Sequence, residues 1–248
     1  RNVNIPGRQN FRDLGGYPSY PGKKQMRWGM IYRSAEIDSL EHCSRRELKN
    51  LGIKTLIDLR TPSEIGRQSP LQKGFNVVHI PLATGDMEDI LQGIREEKIK
   101  CDTVYRMVER MNRTLIDKYT KEYRQIFDIL LDKTNYPVVI HCSSGKGRTG
   151  IVSALVLAAL GVNEDIIMED YRLSNDYFNI PRASKYAYRL PTRSQEAITT
   201  LFSAREDFLN AAKDEAERKY GDMDTYLQKG IGLSKDEIKR LRSILLSD

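Results

Sequence analysis

The chain has 248 residues, 40% of them hydrophobic, which is enough apolar material for one sizeable α/β domain. Its formal charge of +6 suits an anionic substrate, but its 40 basic and 34 acidic residues are interleaved and no basic block carries interspersed aromatic residues, so no nucleic-acid partner is expected. No apolar run reaches the roughly 18 residues of a membrane span, and the three cysteines and three histidines lack ligand spacing. We therefore expect a soluble protein with no transmembrane segment, no metal and no cofactor.

The numbering begins at Arg1 rather than at methionine. We expect that an upstream segment was removed, either by signal processing during export or in preparing the protein. The sequence leaves localisation and oligomeric state open.

Short strands and turns alternate in the first half of the chain. The spacing from Ser44 to Glu47 is that of a capping box, and with Gly52 placed to end the segment it predicts a helix of about two turns. Each short apolar run suits a buried strand of a parallel sheet. The predicted strands are residues 29–33, 54–59, 75–80 and 137–141.

Helical periodicity dominates the second half. Apolar residues recur at intervals of three or four between residues 86 and 134, which predicts a helical insertion or lid. Residues 149–160 predict a helix that opens directly after a loop, and residues 163–248 predict a helical C-terminal part with a second capping box at Ser234. Residues 1–248 are therefore predicted to form a single α/β domain, a mostly parallel sheet flanked by helices with extra helices as a partial lid.

The most informative segment joins the strand at 137–141 to the helix at 149–160. Cys142 follows the strand, and Arg148 lies six residues further on. Small residues between them would let successive backbone N–H groups surround one anion, and the N-terminus of the helix adds partial positive charge at the same point. The predicted anion-binding residues are Ser143, Ser144, Gly145, Lys146, Gly147 and Thr149.

Such a field favours the thiolate form of Cys142, which is the nucleophilic form. Cys142 would attack phosphorus and become a phosphocysteine, while the planar fork of Arg148 would hold two phosphoryl oxygens. The hydroxyl of Thr149 could hydrogen-bond the sulfur and help it leave. A Cys-x5-Arg spacing alone is weak, but its position between a strand and a helix makes the signal strong.

The loop resembles the HCx5R(S/T) signature of protein-tyrosine and dual-specificity phosphatases. Further segments resemble the bacterial tyrosine/serine phosphatase family: residues 10–16 (NFRDLGG), 32–35 (YRSA), 51–53 (LGI), 57–60 (IDLR), 170–176 (DYRLSND) and 220–246. The resemblance implies a phosphatase fold and activity on phosphotyrosine, phosphoserine or phosphoinositides, in some members after export. Gly147 departs from the family, whose loop usually carries Asp there, and resembles the loop of phosphatase-and-tensin-type lipid phosphatases.

Phosphate monoester cleavage needs an acid to protonate the leaving oxygen. Asp86 is the first candidate, because the resembling phosphatases carry their acid on the loop that follows the strand at 75–80. Asp58 is the second, although an Asp two residues from Arg60 at a strand end is as often a structural ion pair.

Three functional hypotheses follow. The first is a cysteine-dependent phosphomonoester hydrolase acting on phosphotyrosine proteins and also on phosphoserine or phosphothreonine. The second uses the same residues on phosphoinositides or inositol phosphates. The third is a phosphate-binding pseudo-phosphatase with weak or no turnover.

Overall fold

The computed structural model describes residues 1–20, 22–37, 42–65, 74–85, 87–180 and 189–247, without the side chains of residues 42 and 43. The central sheet has five strands: β1 Arg12–Asp13, β3 Ile31–Ser34, β4 Thr55–Asp58, β5 Asn76–His79 and β6 Val138–His141. Their spatial order is β1-β3-β6-β4-β5, and only β1 is antiparallel to its neighbour. The strands β2 Gln25–Met26 and β7 Leu246–Ser247 pair in a separate antiparallel ribbon.

The four predicted strands are confirmed as β3, β4, β5 and β6, each ending within one residue of its predicted last position. Strand β6 lies at the centre, with Val138 and Ile140 packed in one hydrophobic cluster and Val139 in another. Successive side chains of a strand point to opposite faces of the sheet, so both faces of β6 are buried. A strand buried on both faces has a continuous apolar sequence, as this one does.

Helices make up most of the remaining chain. None of those described is both long and apolar enough to cross a membrane. They are α1 His42–Asn50, α2 Pro62–Ile65, α3 Met87–Arg95, α4 Cys101–Lys118, α5 Thr120–Leu130, α6 Gly147–Ala159, α7 Glu164–Arg172, α8 Ser174–Tyr177, α9 Thr192–Phe202, α10 Glu206–Tyr220, α11 Met223–Thr225 and α12 Lys235–Leu245, with a 3-10 turn at Lys133–Asn135 and a π turn at Tyr226–Gly230.

The two predicted capping boxes have different outcomes. The box at Ser234 is confirmed: its side chain accepts from the Glu237 amide, and the Glu237 side chain accepts from the Ser234 amide. The box at Ser44 is wrong, because Ser44 lies inside α1 and its hydroxyl donates to the carbonyl of Pro6 at 2.6 Å. The local spacing predicted that the Ser44 hydroxyl caps its own helix, whereas the hydroxyl bonds a backbone carbonyl that is distant in the sequence.

Three apolar clusters organise these layers. The largest lies between one face of the sheet and helices including α5, α6 and α12. The second covers the other face, where Leu48 of α1 packs with Tyr32 and Val139. The third belongs to α3, α4, α9 and α10 and has no strand residue in it. Helices therefore lie on both faces of the sheet, as predicted, and the third cluster holds a separate group of helices together.

Parallel strands bring the chain segments that follow them to one edge of the sheet. The segments after β3, β4 and β6 all start at this edge, because the three strands are parallel and in adjacent register. This is where an open α/β sheet usually binds its ligand.

Candidate active site

The loop from Cys142 to Lys146 connects the end of β6 to the start of α6. Gly145 has a φ of +68°, and a Cβ at this position would lie 2.4 Å from the carbonyl oxygen of Ser34 on β3. Both facts require glycine, since a left-handed backbone and so close an approach exclude a side chain. At Gly147, by contrast, no neighbouring heavy atom lies within 4 Å of the place that a Cβ would take, so a side chain would fit there.

Cys142 is the buried centre of this loop, with 2% of its surface exposed. Burial alone would raise the pKa of the thiol. The charge of Arg148 and hydrogen bonds from the Thr149 hydroxyl and from the amides of Thr149 and Gly145 outweigh burial and lower that pKa. Thr149 Oγ1 is buried and bonds no other protein nitrogen or oxygen among the described residues, which leaves it available to the sulfur. The site therefore favours the nucleophilic thiolate.

Arg148 is held by a carboxylate that the sequence analysis missed. Its Nη1 and Nη2 atoms donate to the two carboxylate oxygens of Glu64 at 2.7 Å and 2.6 Å. Burial would favour the neutral acid, but the hydrogen bonds and charge of Arg148 lower the pKa of Glu64 to about 2. Ser143 Oγ also donates to Glu64, at 2.9 Å. This bidentate pair fixes the plane of the guanidinium in front of the loop.

Glu64 lies on α2, directly after β4. The sequence Thr61-Pro62-Ser63-Glu64 has the spacing of a helix start, and the Glu64 side chain does accept from the Thr61 amide at 2.8 Å. The sequence did contain a signal for Glu64, namely a carboxylate on the segment that follows a strand next to β6. Such segments meet at the same edge of a parallel sheet as the loop after β6.

Lys146 makes the second charged contact of the loop. Its Nζ donates to the carbonyl of Leu201 on α9 at 2.8 Å and lies 5.6 Å from the ring centroid of Phe202. Burial lowers the pKa of Lys146 to about 7, against the charge of Cys142, which raises it. The loop is therefore bonded directly to the end of α9.

The cavity in front of Cys142 is small, about 70 Å³. Apolar side chains from α3, α4 and α9, which we name the cover helices, line it. They include Met87, Val108, Met111, Leu201 and Phe202. Typical ligand pockets measure about 300–1,000 Å³. The space in front of Cys142 is therefore narrower in this structure than a typical ligand pocket.

Asp58 lies outside this cavity and is fully buried. Its two oxygens accept from Arg60 Nε at 2.9 Å and Nη2 at 2.7 Å, and His141 Nδ1 lies 3.8 Å away. Burial would raise its pKa, but hydrogen bonds from Arg60 and the charges of His141 and Arg60 lower it. This geometry favours the structural ion pair over the acid among the two roles that the sequence left open.

Asp86, the first candidate for the acid, lies outside the described residues. Thr84 and Met87, on either side of it in the chain, both line the cavity with Cys142. No cluster of three or more potential metal-ligating side chains occurs within the part of the chain that the structure describes.

An ionisable thiol facing an oriented arginine, at a strand-loop-helix junction of a parallel sheet, defines the class of cysteine-dependent phosphatases. Comparison with known proteins agrees with this class. A sequence model of the tyrosine phosphatase family matches residues 3–247. The chain belongs to this family and is a phosphatase.

The proteins similar to this chain include the following three. The triple specificity protein phosphatase PtpB of Mycobacterium tuberculosis is 28% identical, with 98% of each chain covered. A tyrosine-protein phosphatase of Nostoc commune is 27% identical over 85% of this chain and 72% of its own. An inositol diphosphatase of Arabidopsis thaliana is 39% identical over 20% of this chain and 25% of its own.

Proposed function

We propose that this phosphatase hydrolyses phosphate monoesters through a phosphocysteine on Cys142, with phosphotyrosine proteins as favoured substrates and phosphoserine or phosphothreonine as further ones. The observation that carries the proposal is the position of the buried Cys142 thiol between β6 and the N-terminus of α6, where it lines one cavity with Arg148 and where the charge of Arg148 lowers its pKa against burial. Burial alone would make such a thiol inert, so a lowered pKa indicates a nucleophile.

In the first step the Cys142 thiolate attacks phosphorus while the bond to the leaving oxygen breaks. Arg148 binds two equatorial oxygens, and Asp86 gives its proton to the departing oxygen, releasing the alcohol or phenol. In the second step the Asp86 carboxylate takes a proton from water, which attacks phosphorus. The sulfur–phosphorus bond then breaks, and the Thr149 hydroxyl stabilises the returning thiolate.

The assignment of the acid to Asp86 rests on the surroundings of the alternatives. The carboxylates of Asp58 and Glu64 are each bound to an arginine that lowers their pKa, so neither carries a proton near neutral pH. Asp86 is also supported by its sequence neighbours, since Thr84 and Met87 both line the cavity with Cys142.

We also infer that the cover helices act as a lid. The cavity of about 70 Å³ is smaller than a typical ligand pocket and is lined by apolar residues of these helices, which supports a movement that widens it when substrate binds. Of the predicted lid at residues 86–134, α3 and α4 contribute side chains to the cavity, whereas Tyr123 and Phe127 of α5 pack in the main core. Helix α9 joins the lid through Leu201 and Phe202.

The test measures hydrolysis of p-nitrophenyl phosphate. Cys142→Ser should abolish turnover, whereas Cys101→Ser, which removes a thiol bonded to Thr200 at 3.1 Å, should retain it. Asp86→Asn should lower kcat, and more so for an alkyl phosphate, whose leaving group needs the proton more. Retained turnover in Cys142→Ser would contradict the proposal. Tight phosphate binding without turnover in the unaltered protein would support the pseudo-phosphatase instead.

A second candidate substrate class is phosphoinositides or inositol phosphates. The open space at Gly147 leaves that side of the loop without a carboxylate. Less negative charge beside the loop favours a substrate that carries more than one phosphate. Comparing kcat/KM for a phosphotyrosine peptide, a phosphoserine peptide and a phosphoinositide at one pH decides between the classes.

A further inference from the structure

Hydrogen bonds from the surrounding chain hold the outer face of the phosphate-binding loop. Four successive carbonyls, from residue 143 to residue 146, accept hydrogen bonds from groups outside the loop. The Glu36 amide donates to the carbonyl of residue 143 at 3.1 Å, and the Gly150 amide donates to that of residue 146 at 2.8 Å. Asn10 Nδ2 donates to the carbonyls of residues 144 and 145 at 3.1 Å and 2.9 Å. Arg33 Nη2 also donates to the carbonyl of residue 145, at 2.8 Å.

A peptide unit is planar and trans, so its C=O and N–H point in opposite directions. Carbonyls fixed on the outer face therefore turn the amides of residues 144–147 towards the inside of the loop. An oxyanion held there meets N–H dipoles, whereas one flipped peptide unit would present a carbonyl oxygen to it.

Asn10 contacts two of the four carbonyls with one side-chain amide, and only 2% of its surface is exposed. Arg12 Nη1 donates to Asn10 Oδ1, so the oxygen of the amide points to Arg12 and the nitrogen to the loop. The backbone of Asn10 has a φ of +56°, a conformation in which Asn and Gly are the favoured residues.

Arg12 and Arg33 are in turn held by one buried carboxylate. Arg33 Nη1 donates to Asp170 Oδ2 at 2.6 Å, and Arg12 Nε donates to Asp170 Oδ1 at 3.4 Å, with a further bond from Arg12 Nη2 to the backbone carbonyl of Asp170 at 2.8 Å. Burial and the neighbouring charge of Arg33 lower the pKa of Arg12 to about 9, so Arg12 remains protonated at neutral pH. Two guanidinium groups and one carboxylate thus form a rigid support behind the loop.

We propose that Asn10 is a positioning residue of the phosphatase reaction: it keeps the peptide units after Ser144 and Gly145 oriented for oxyanion binding, and the pair of arginines on Asp170 keeps Asn10 in place. The inference rests on the proposed function of the loop. It assigns a role in the reaction to a side chain that reaches the loop only from its outer face.

The test uses Asn10→Gly, because glycine adopts the same positive φ and removes only the amide. The matched control is Asn175→Gly, which deletes an Asn that also bonds backbone, at the carbonyl and amide of Ala204, but has no bond to the loop. We expect Asn10→Gly to lower kcat/KM for p-nitrophenyl phosphate about 10- to 100-fold, which is less than the roughly 100- to 1,000-fold loss for a deleted donor because the loop amides remain and only their orientation is loosened. Asn175→Gly should change the melting temperature but not kcat/KM.

A second readout needs no turnover. Orthovanadate should protect the unaltered protein against thermal unfolding, and its apparent Kd should rise at least 10-fold in Asn10→Gly. This separates the two proposals, since oxyanion protection is measurable even if the cysteine mechanism fails. The positioning role is wrong if Asn10→Gly keeps the kcat/KM and vanadate affinity of the unaltered protein, or if it loses only melting temperature, as the control does.

Discussion

Replacing Glu64 by Gln tests whether this carboxylate positions Arg148 or occupies the place of the phosphate. The new side-chain amide would keep one acceptor oxygen but lose the charge and one of the two bonds, at 2.6 Å and 2.7 Å, to the guanidinium. A hydrogen bond to a charged group contributes about 1.5–3 kcal/mol, which corresponds to roughly 10- to 150-fold in rate. Glu64 bonds Nη1 and Nη2 of Arg148 and not Nε.

We therefore expect Glu64→Gln to lower kcat/KM for p-nitrophenyl phosphate by roughly 10- to 150-fold, mostly in kcat, since positioning acts in the transition state. The control Ser63→Ala alters the same helix, where the Ser63 hydroxyl contacts Thr61 Oγ1 at 2.9 Å and not the arginine. A lower KM or a higher kcat/KM in Glu64→Gln would refute the reasoning, because it would mean that Glu64 competes with the substrate.

The same variant has a defined pH dependence. The pKa of Glu64 is lowered from 4.5 to about 2, so its contribution to stability is complete above pH 4.5 and is lost as pH falls towards 2. The shift sets an upper limit of about 3 kcal/mol for this contribution. Melting curves of the unaltered protein and of Glu64→Gln should therefore differ most near pH 6 and converge near pH 2. A constant difference across that range would contradict the ion pair.

Three further substitutions have clear expectations. Gly145→Ala should destabilise the protein by about 3 kcal/mol or prevent folding, because a Cβ at this position would lie 2.4 Å from backbone atoms. Gly147→Ala should keep the melting temperature of the unaltered protein, because a Cβ there meets no such atom. Equal melting temperatures of the two variants would contradict this. In a Cys142→Ser background, Lys146→Met should raise the melting temperature at pH 7, and the gain should shrink towards pH 10. The reason is that burial holds the pKa of the native lysine well below the usual 10.5, so the native state gains stability as pH rises towards 10.5. A gain independent of pH would exclude a buried ammonium. Asp58→Asn should lower the melting temperature and leave the acidic limb of the pH–rate profile in place. Loss of that limb with an unchanged melting temperature would make Asp58 the acid.

Local signals account for what the sequence predicted well. Strand β6, the loop and α6 are contiguous, so apolar run, small residues and helix start could be identified together in residues 138–159. Glu64 and Asn10 could not be found in this way, because Glu64 lies 84 residues from Arg148 and Asn10 lies 135 residues from Gly145, the residues that they bond. Their residue types suggest a helix start and a turn, and only the packing of the sheet shows that both contact the loop.

The error at Ser44 has the same physical origin. Its spacing to Glu47 satisfies a local rule, but the hydroxyl bonds a carbonyl 38 residues away. The lid was predicted from periodicity at residues 86–134, yet α9, beyond residue 190, supplies Leu201 and Phe202 to it. Periodicity identifies an apolar face but not the surface against which that face packs.

The ribbon formed by β2 and β7 affects when the molecule can fold. It joins residues 25–26 to residues 246–247, and the Arg27 amide and side chain bond the carbonyls of Leu245 and Leu246 at 2.7 Å and 2.9 Å. Met26 and Leu246 are both in the main core. A ribosome that has not yet released residues 246–247 therefore holds a chain with an incomplete core, which exposes apolar surface. We expect this domain to complete its folding only after β7 has been synthesised, so that pairing of β2 with β7 is a late event.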